Sequence, residues 1–481
     1  MEKYFKKSAW IFWLALVVVL PVSSMPLVAR LIHSSAAAPA SVLFLLILCL
    51  TWLPFYLWKK GTFPVQTKVA LAFYFSGLIS SGLSFFLELP AFKNQQILSS
   101  VVSGVASLSL GILFYLLTSI LPNSNEKIKS TLKALNWGGG IMLFWCISVW
   151  AISAVTPGDT PGYLRAIQDI FSTTTFFGKR MVGFAAEPSW LAHILNMVYL
   201  PYWLSATVSG FTALNKKWGK VSIENVFLIF GAIVLFNTLS RAGLFAFLLV
   251  LGFFFIRLNI WAVRQLSTKW GVQHGKRWIT LAVVAGFLMI YLGGATGMVY
   301  VLSKIDPRMR DVFSLQVISQ GGFDKYANLL QFGERVTYWQ AGWNIFNAHP
   351  VLGVGLGNAG YYFPQMLPDN AWQLAEVRRL VYHSTALMNI KSMWSRILAE
   401  TGMVGFAFFL TLLVVTGFTA RRLTQSTLPI RKTVGWMGIC MLIAFLIEGF
   451  SVDSFALPYL WFTLGLTAAS WRWTKTEETG E

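Results

Sequence analysis

Charge is what this sequence has least of. Asp, Glu, Lys and Arg make up 12% of its 481 residues, against about a quarter in an ordinary soluble domain. With 56% hydrophobic and 16% aromatic residues, that scarcity excludes a water-soluble globular protein. Acids are scarcer than bases, 19 against 38, leaving a net charge of +19. On a soluble domain such an excess would point to nucleic acid. In a membrane chain it collects in cytoplasmic loops instead, so no nucleic-acid partner is expected. Cysteine is almost missing: Cys49, Cys146 and Cys440 stand singly inside apolar runs, which argues against a disulfide framework or a cysteine-ligated metal. There is no His-x-x-x-His, paired-Asp or Cys/His spacing either, and neither a metal nor a cofactor is expected.

What the chain has in abundance is apolar runs of about 20 residues, each enough to cross roughly 30 Å of hydrocarbon. They fall at 8–29, 40–58, 68–89, 97–121, 134–156, 188–210, 222–239, 241–262, 278–302, 400–420, 432–450 and 455–473. The expected fold is all-α, a polytopic membrane protein of about twelve transmembrane helices. The first run follows Lys3, Lys6 and Lys7; it is too long for a signal-peptide core, and it is read as retained. Lysine and arginine crowd one set of connecting loops, around Lys59, Lys127, Lys216, Lys269 and Arg421. Both termini belong to that set, which the positive-inside rule places in the cytoplasm. The expected organisation is helices 1–9 over residues 1–302 with an outer loop at about 157–187, a large outer loop at 303–391, and helices 10–12 over 392–481. Internal repeats of the transporter kind are not evident.

The two outer loops hold the residues capable of chemistry. The first carries Lys179, Arg180 and Glu187-Pro188-Ser189; the second carries Arg335, Trp339, Gly353-Val354-Gly355-Leu356-Gly357, His383 and Lys391, with Arg396 just beyond. Long loops translocate regardless of charge, so this cationic content is either incidental or a vestibule for an anionic substrate. Arg241 sits in a short polar break between two apolar runs, where an arginine is costly unless it faces a cavity, a partner or the interface. It either snorkels or binds an anion. Trp339, Trp343 and Phe346 recur at helical spacing, as packing residues or as a platform. The glycine-rich run has no βαβ context for a dinucleotide, and serves as a tight turn or as a cradle of amides for a phosphate. Glu187 is a helix N-terminal acid or a general base. His383, His349 and His193 are single histidines, each structural or catalytic. Asp453 either lines the chamber or caps the last helix.

Three blocks resemble the O-antigen polymerase and O-antigen ligase superfamily of bacterial inner-membrane proteins. They are Ser240-Arg241 between adjacent spans, Arg335-x-x-x-Trp339 with Pro350-Val351-Leu352-Gly353-Val354-Gly355-Leu356-Gly357, and Leu398-Ala399-Glu400-Thr401-Gly402-Met403-Val404-Gly405 before a span. Together they cover about Gly183 to Phe406. The resemblance implies a GT-C-like helical fold and an undecaprenyl-diphosphate-linked oligosaccharide donor and acceptor at the periplasmic face. A flippase and a chain-length regulator of the same pathway are the implied partners.

In that chemistry an acceptor hydroxyl attacks the anomeric carbon of the donor and undecaprenyl diphosphate leaves. Fixed positive charge must stand where the leaving group's charge develops, and forked guanidinium donors suit phosphate. Arg241 and Arg335 match the family's arginines and take that role, with Arg180, Lys179, Trp339, Gly355, Lys391 and Arg396 as substrate contacts. One departure separates the chain from ligases of the family. The His-Asn pair expected nine residues before Glu400 is Lys391-Ser392 here, and His383 lies eight residues upstream of it. The Glu187-Pro188-Ser189 block looks more like polymerases. A repeat-unit polymerase is therefore the expected activity, with a ligase and a flippase as alternatives; Glu187, His383 or no residue serves as base.

Overall fold

The computed structural model describes residues 2–32, 37–156, 161–176, 178, 180–214, 217–219, 221–269, 277–305, 314, 316–330 and 332–479. The chain is helical almost throughout, as the long apolar runs demand. In hydrocarbon every backbone polar group must be satisfied within its own segment. The helices are α1 (Glu2–Val18), α2 (Pro26–Ile32), α3 (Ser41–Trp58), α4 (Thr67–Leu83), α5 (Ile97–Ile120), α6 (Asn125–Val155) and α7 (Gly162–Phe171). After them, α8 (Pro188–Ile194) runs through a π turn at Leu195–Tyr199 into α9 (Leu200–Ser209). The series continues with α10 (Ile223–Asn237), α11 (Arg241–Lys269), α12 (Arg277–Ile305), α13 (Gln316–Leu329), α14 (Gly333–Ala348), α15 (Ala359–Met366) and α16 (Ala375–Tyr382). Last come α17 (Met393–Leu423), α18 (Pro429–Glu448) and α19 (Pro458–Thr479). Among the described residues the only strand pairing beyond isolated bridges is a short hairpin, Lys217 opposite Ser222 and Trp218 opposite Val221.

Eight helices among the described residues are long and apolar enough to cross a membrane: those at Ser41–Trp58, Thr67–Phe86, Ile97–Ile120, Asn125–Val155, Arg241–Gln265, Val284–Val301, Met393–Leu423 and Pro429–Glu448. The protein is thus an all-α polytopic membrane protein. Four of the expected spans lie outside these eight. The run at 8–29 gives a 17-residue α1 and then turns away into α2, and the run at 222–239 gives a 15-residue α10. The run at 188–210 is a composite of α8, the π turn and α9, and the last is α19.

Polar pairs tie the helices where apolar contact alone distinguishes them poorly from lipid. Asn136 on α6 donates to Glu224 on α10 at 2.8 Å and accepts from Trp203 on α9 at 3.0 Å. Trp13 on α1 donates to Thr131 on α6 at 3.0 Å. The helices have two distinguishable ends. At the lysine end lie the start of α1, the α3–α4 and α5–α6 turns, and the α17–α18 turn. At the arginine end α14, α15 and α16 fold into a separate small core built on Tyr338, Ile345, Tyr361, Phe363 and Val377.

Candidate active site

The arginine end is organised by two turns. The first joins α10 to α11. Leu239 there has φ +48°, a left-handed backbone that costs an L-residue about 1–2 kcal/mol. Arg180 Nε donates to the Thr238 carbonyl at 2.9 Å, and the Met181 amide to that of Asn237 at 2.9 Å. Arg241 opens α11, where the helix dipole disfavours a cation. Its guanidinium is drawn instead to the carbonyl of Leu330, just past the end of α13, and lies 5.8 Å from the centre of the Phe332 ring. Phe332 immediately precedes α14, and its carbonyl accepts the Arg335 amide at 3.1 Å. One helical turn of α14 therefore carries both Phe332, beneath Arg241, and Arg335.

The second turn joins α18 to α19. Arg335 Nη1 donates to the Ser451 carbonyl at 3.0 Å, and Arg396 Nη1 to the Asp453 carbonyl at 2.7 Å. A guanidinium has five donors, so a single carbonyl bond orients Arg335 without consuming it. Trp339 packs between Phe332, edge-on at 5.1 Å, and Phe450, tilted at 5.2 Å. Its indole N–H is buried without a hydrogen-bond partner. An unpaired buried donor costs about 1–3 kcal/mol, a cost borne here among the described residues.

Arg396 braces the start of α17 against the α18–α19 turn. It is largely buried, and its Nε donates to Glu400 at 2.9 Å one turn along α17. Lys391 is likewise turned inward: its ammonium pairs with Glu376 on α16 and lies 4.9 Å from the centre of the Tyr338 ring. Its amide donates to Asp453 Oδ2 at 3.1 Å, and because α19 begins only at Pro458, Asp453 does not cap it. Burial alone would raise the Glu376 carboxyl. The Lys391 ammonium and the Tyr338 hydroxyl at 3.1 Å override it and hold the group below the ordinary carboxylate value. The Tyr338 hydroxyl is pushed well above the phenol range, by burial first and then by Glu376.

Gly355 belongs to a glycine-rich loop that straps a break in α17. α17 is broken at Gly402, whose φ of +63° and ψ of −165° are not helical. The interruption leaves backbone groups unpaired in both halves, and the 350–357 loop supplies the partners. Ala399 and Glu400 carbonyls accept the amides of Val354 and Gly355 at 3.0 Å each, while Met403 and Val404 amides donate to Pro350 and Val351 at 2.8 and 3.2 Å. The Gly357 amide bonds the Glu400 carboxylate, and that of Leu356 bonds Ser81 at 3.1 Å. These amides are occupied by protein.

Glu187 is exposed at the start of α8, its carboxylate accepting from Ser189 at 3.1 Å. α8 and α11 touch where Ala192 faces Gly243, so Glu187 and Arg241 stand at the same ends of adjoining helices. His383 is exposed at the end of α16, in a segment whose Thr385 and Ala386 carbonyls bond Gln95 and Lys93. No described contact joins it to the arginines. Lys179 lies outside the described residues. What sequence reading missed is a buried cluster below the arginines. Glu448 accepts from Asn196 at 2.7 Å and lies 3.1 Å from His193 Nδ1, and Asn196 also donates to the Gly243 carbonyl at 2.8 Å. The signal was present: an acid closing an apolar span needs a partner, and His193 and Asn196 are spaced to share a helix face. Among the described residues no three His, Cys, Asp or Glu side chains are grouped to hold a metal.

A helical membrane protein with guanidinium groups gathered at one end is the class that this architecture defines. Residues 226–410 match the O-antigen ligase family model, a stretch that contains Arg241, Arg335, the glycine strap and the α17 break. That match supports a membrane enzyme of the O-antigen ligase and polymerase superfamily. No curated protein matches the chain.

Proposed function

We propose that the protein polymerises undecaprenyl-diphosphate-linked oligosaccharide repeat units at the periplasmic face of the bacterial inner membrane, as a metal-independent, GT-C-like glycosyltransferase. The observation that carries this reading is the placement of the Arg241 guanidinium 5.8 Å from the centre of the Phe332 ring, with Arg335 one turn on from Phe332 at the start of α14. Arg241 and Arg335 grip the diphosphate, with Arg180 supporting the turn that bears Arg241. Glu187 takes the proton from the acceptor hydroxyl as that oxygen bonds to the anomeric carbon. The bond from that carbon to the diphosphate oxygen breaks, and its electron pair departs on undecaprenyl diphosphate. Positive charge already in place lowers the barrier because nothing must reorganise as the leaving group's charge develops.

The description of the matched family favours a second reading, transfer of finished glycan to lipid A-core or to protein. A deletion strain separates the two when complemented with wild type, Arg241→Ala or Arg335→Ala. The polymerase predicts single repeat units at the surface, restored to polymer by wild type alone. Long polymer left on its lipid carrier means a ligase. Repeat units stranded in the cytoplasm mean a flippase and overturn the enzymatic reading.

A further inference from the structure

At the opposite end of the molecule, the start of α1, the end of α3 and the α5–α6 turn enclose a cavity of about 300 Å³, a volume at the lower end of small-ligand pockets. Three ammonium groups from three separate elements, Lys6, Lys59 and Lys127, line it with a single carboxylate, Glu2, so the lining carries +3 − 1 = +2. Lysines that merely mark a cytoplasmic face have no reason to converge on one hollow. The N-terminal end of the 31-residue α6 meets the same cavity at Asn123 and Lys127, adding the positive pole of its dipole.

We propose that this cavity binds a phosphate-bearing anion, supplied in the membrane by the headgroup of an anionic phospholipid. Lys127 is already positioned, its Nζ donating to Asn123 at 2.7 Å and lying 5.3 Å from the centre of the Trp10 ring. Lys6 and Lys59 reach Glu2 at 2.8 and 3.9 Å, but all three groups are at least half exposed. Such pairs are held weakly, and a phosphate can displace the carboxylate. The wall that faces the spans is aromatic, with Trp52 and Tyr56 stacked at 4.9 Å. Amphipathic rings of this kind settle at headgroup level. The site is remote from the arginines, and the proposal does not depend on the reaction assigned to them.

The test is native mass spectrometry of delipidated protein offered phosphatidylglycerol or phosphatidylcholine, with the triple variant Lys6→Gln, Lys59→Gln, Lys127→Gln beside wild type. The expected result is at least tenfold preferential retention of phosphatidylglycerol by wild type, lost in the triple variant. Retention that survives millimolar inorganic phosphate identifies the lipid as the source; displacement by it identifies free phosphate. Equal retention of the two lipids, or an unchanged preference in the variant, overturns the site. Should the triple variant melt below wild type, the double variant Lys6→Gln, Lys59→Gln, at two exposed positions, decides instead by the same loss of preference.

Discussion

Arg241 stands at the end of α11 least hospitable to a cation, and the α10–α11 turn behind it holds a leucine in left-handed backbone. Ser240 caps that start, its hydroxyl accepting the Gly243 amide at 3.4 Å, yet the next position carries a cation where the dipole favours an acid. Forked geometry is what the position offers a diphosphate, so charge alone should not suffice. Arg241→Lys and Arg335→Lys are each expected to lower polymer yield at least tenfold, about 1.4 kcal/mol of barrier, with unchanged expression and melting; yields near wild type would remove both residues from the site. Glu376 supplies a second residue-level expectation. A carboxylate held below its ordinary value of 4.5 gives its full contribution above that value, and loses it as pH falls through the lower folded value. The protection factors of the α16 amides, which remove the intrinsic pH dependence of exchange, should therefore fall as pH drops below about 4.5, and in Glu376→Gln they should be lower throughout and no longer change over that range.

At the scale of elements, the broken α17 is the feature on which the site rests. A Cβ on Gly402 would lie 2.3 Å from the Val351 carbonyl oxygen, in backbone at φ +63°. Gly402→Ala is expected to destabilise by about 1–3 kcal/mol, and limited proteolysis should then cut within 349–358 in the variant but not in wild type. Glu448→Leu strips partners from His193 and Asn196 inside the bundle. Two buried polar groups left unsatisfied cost about 1–3 kcal/mol each, so melting in detergent should fall while Glu448→Gln falls less. Much of this was legible beforehand and some was not. Apolar run length declared the helices, and the break at Ser240-Arg241 was visible as polarity between two runs. The glycine run was read as a turn or a cradle; the partners of its amides, on α17 and at Ser81, are too far along the chain for any local pattern to show. Lys391 and Arg396 looked available because sequence shows a charge but not the Glu376 or Glu400 that meets it. His193 and Glu448 are 255 residues apart, and no local pattern joins them.

For the whole molecule the two ends carry opposite assignments, and those assignments are testable together. Lys59, Lys60, Lys127, Arg421 and Arg422 sit at or beside one set of helix ends, and the α14–α16 core sits at the other. On the positive-inside rule the lysine end is expected in the cytoplasm and the arginines outside, the side on which the proposed polymerisation would take place. α17 links the two ends: beyond its break at Gly402, residues 403–423 at about 1.5 Å each span roughly 32 Å, about the thickness of the hydrocarbon layer. Thr385 is exposed before its start and Gln425 is exposed just past its end. With Cys49, Cys146 and Cys440 replaced by alanine, Thr385→Cys should react in intact spheroplasts with a membrane-impermeant maleimide, and Gln425→Cys only after the membrane is opened. The reverse pattern would place Arg241 and Arg335 in the cytoplasm, put the lysine-lined cavity outside, and remove the periplasmic reaction while leaving the phosphate site standing.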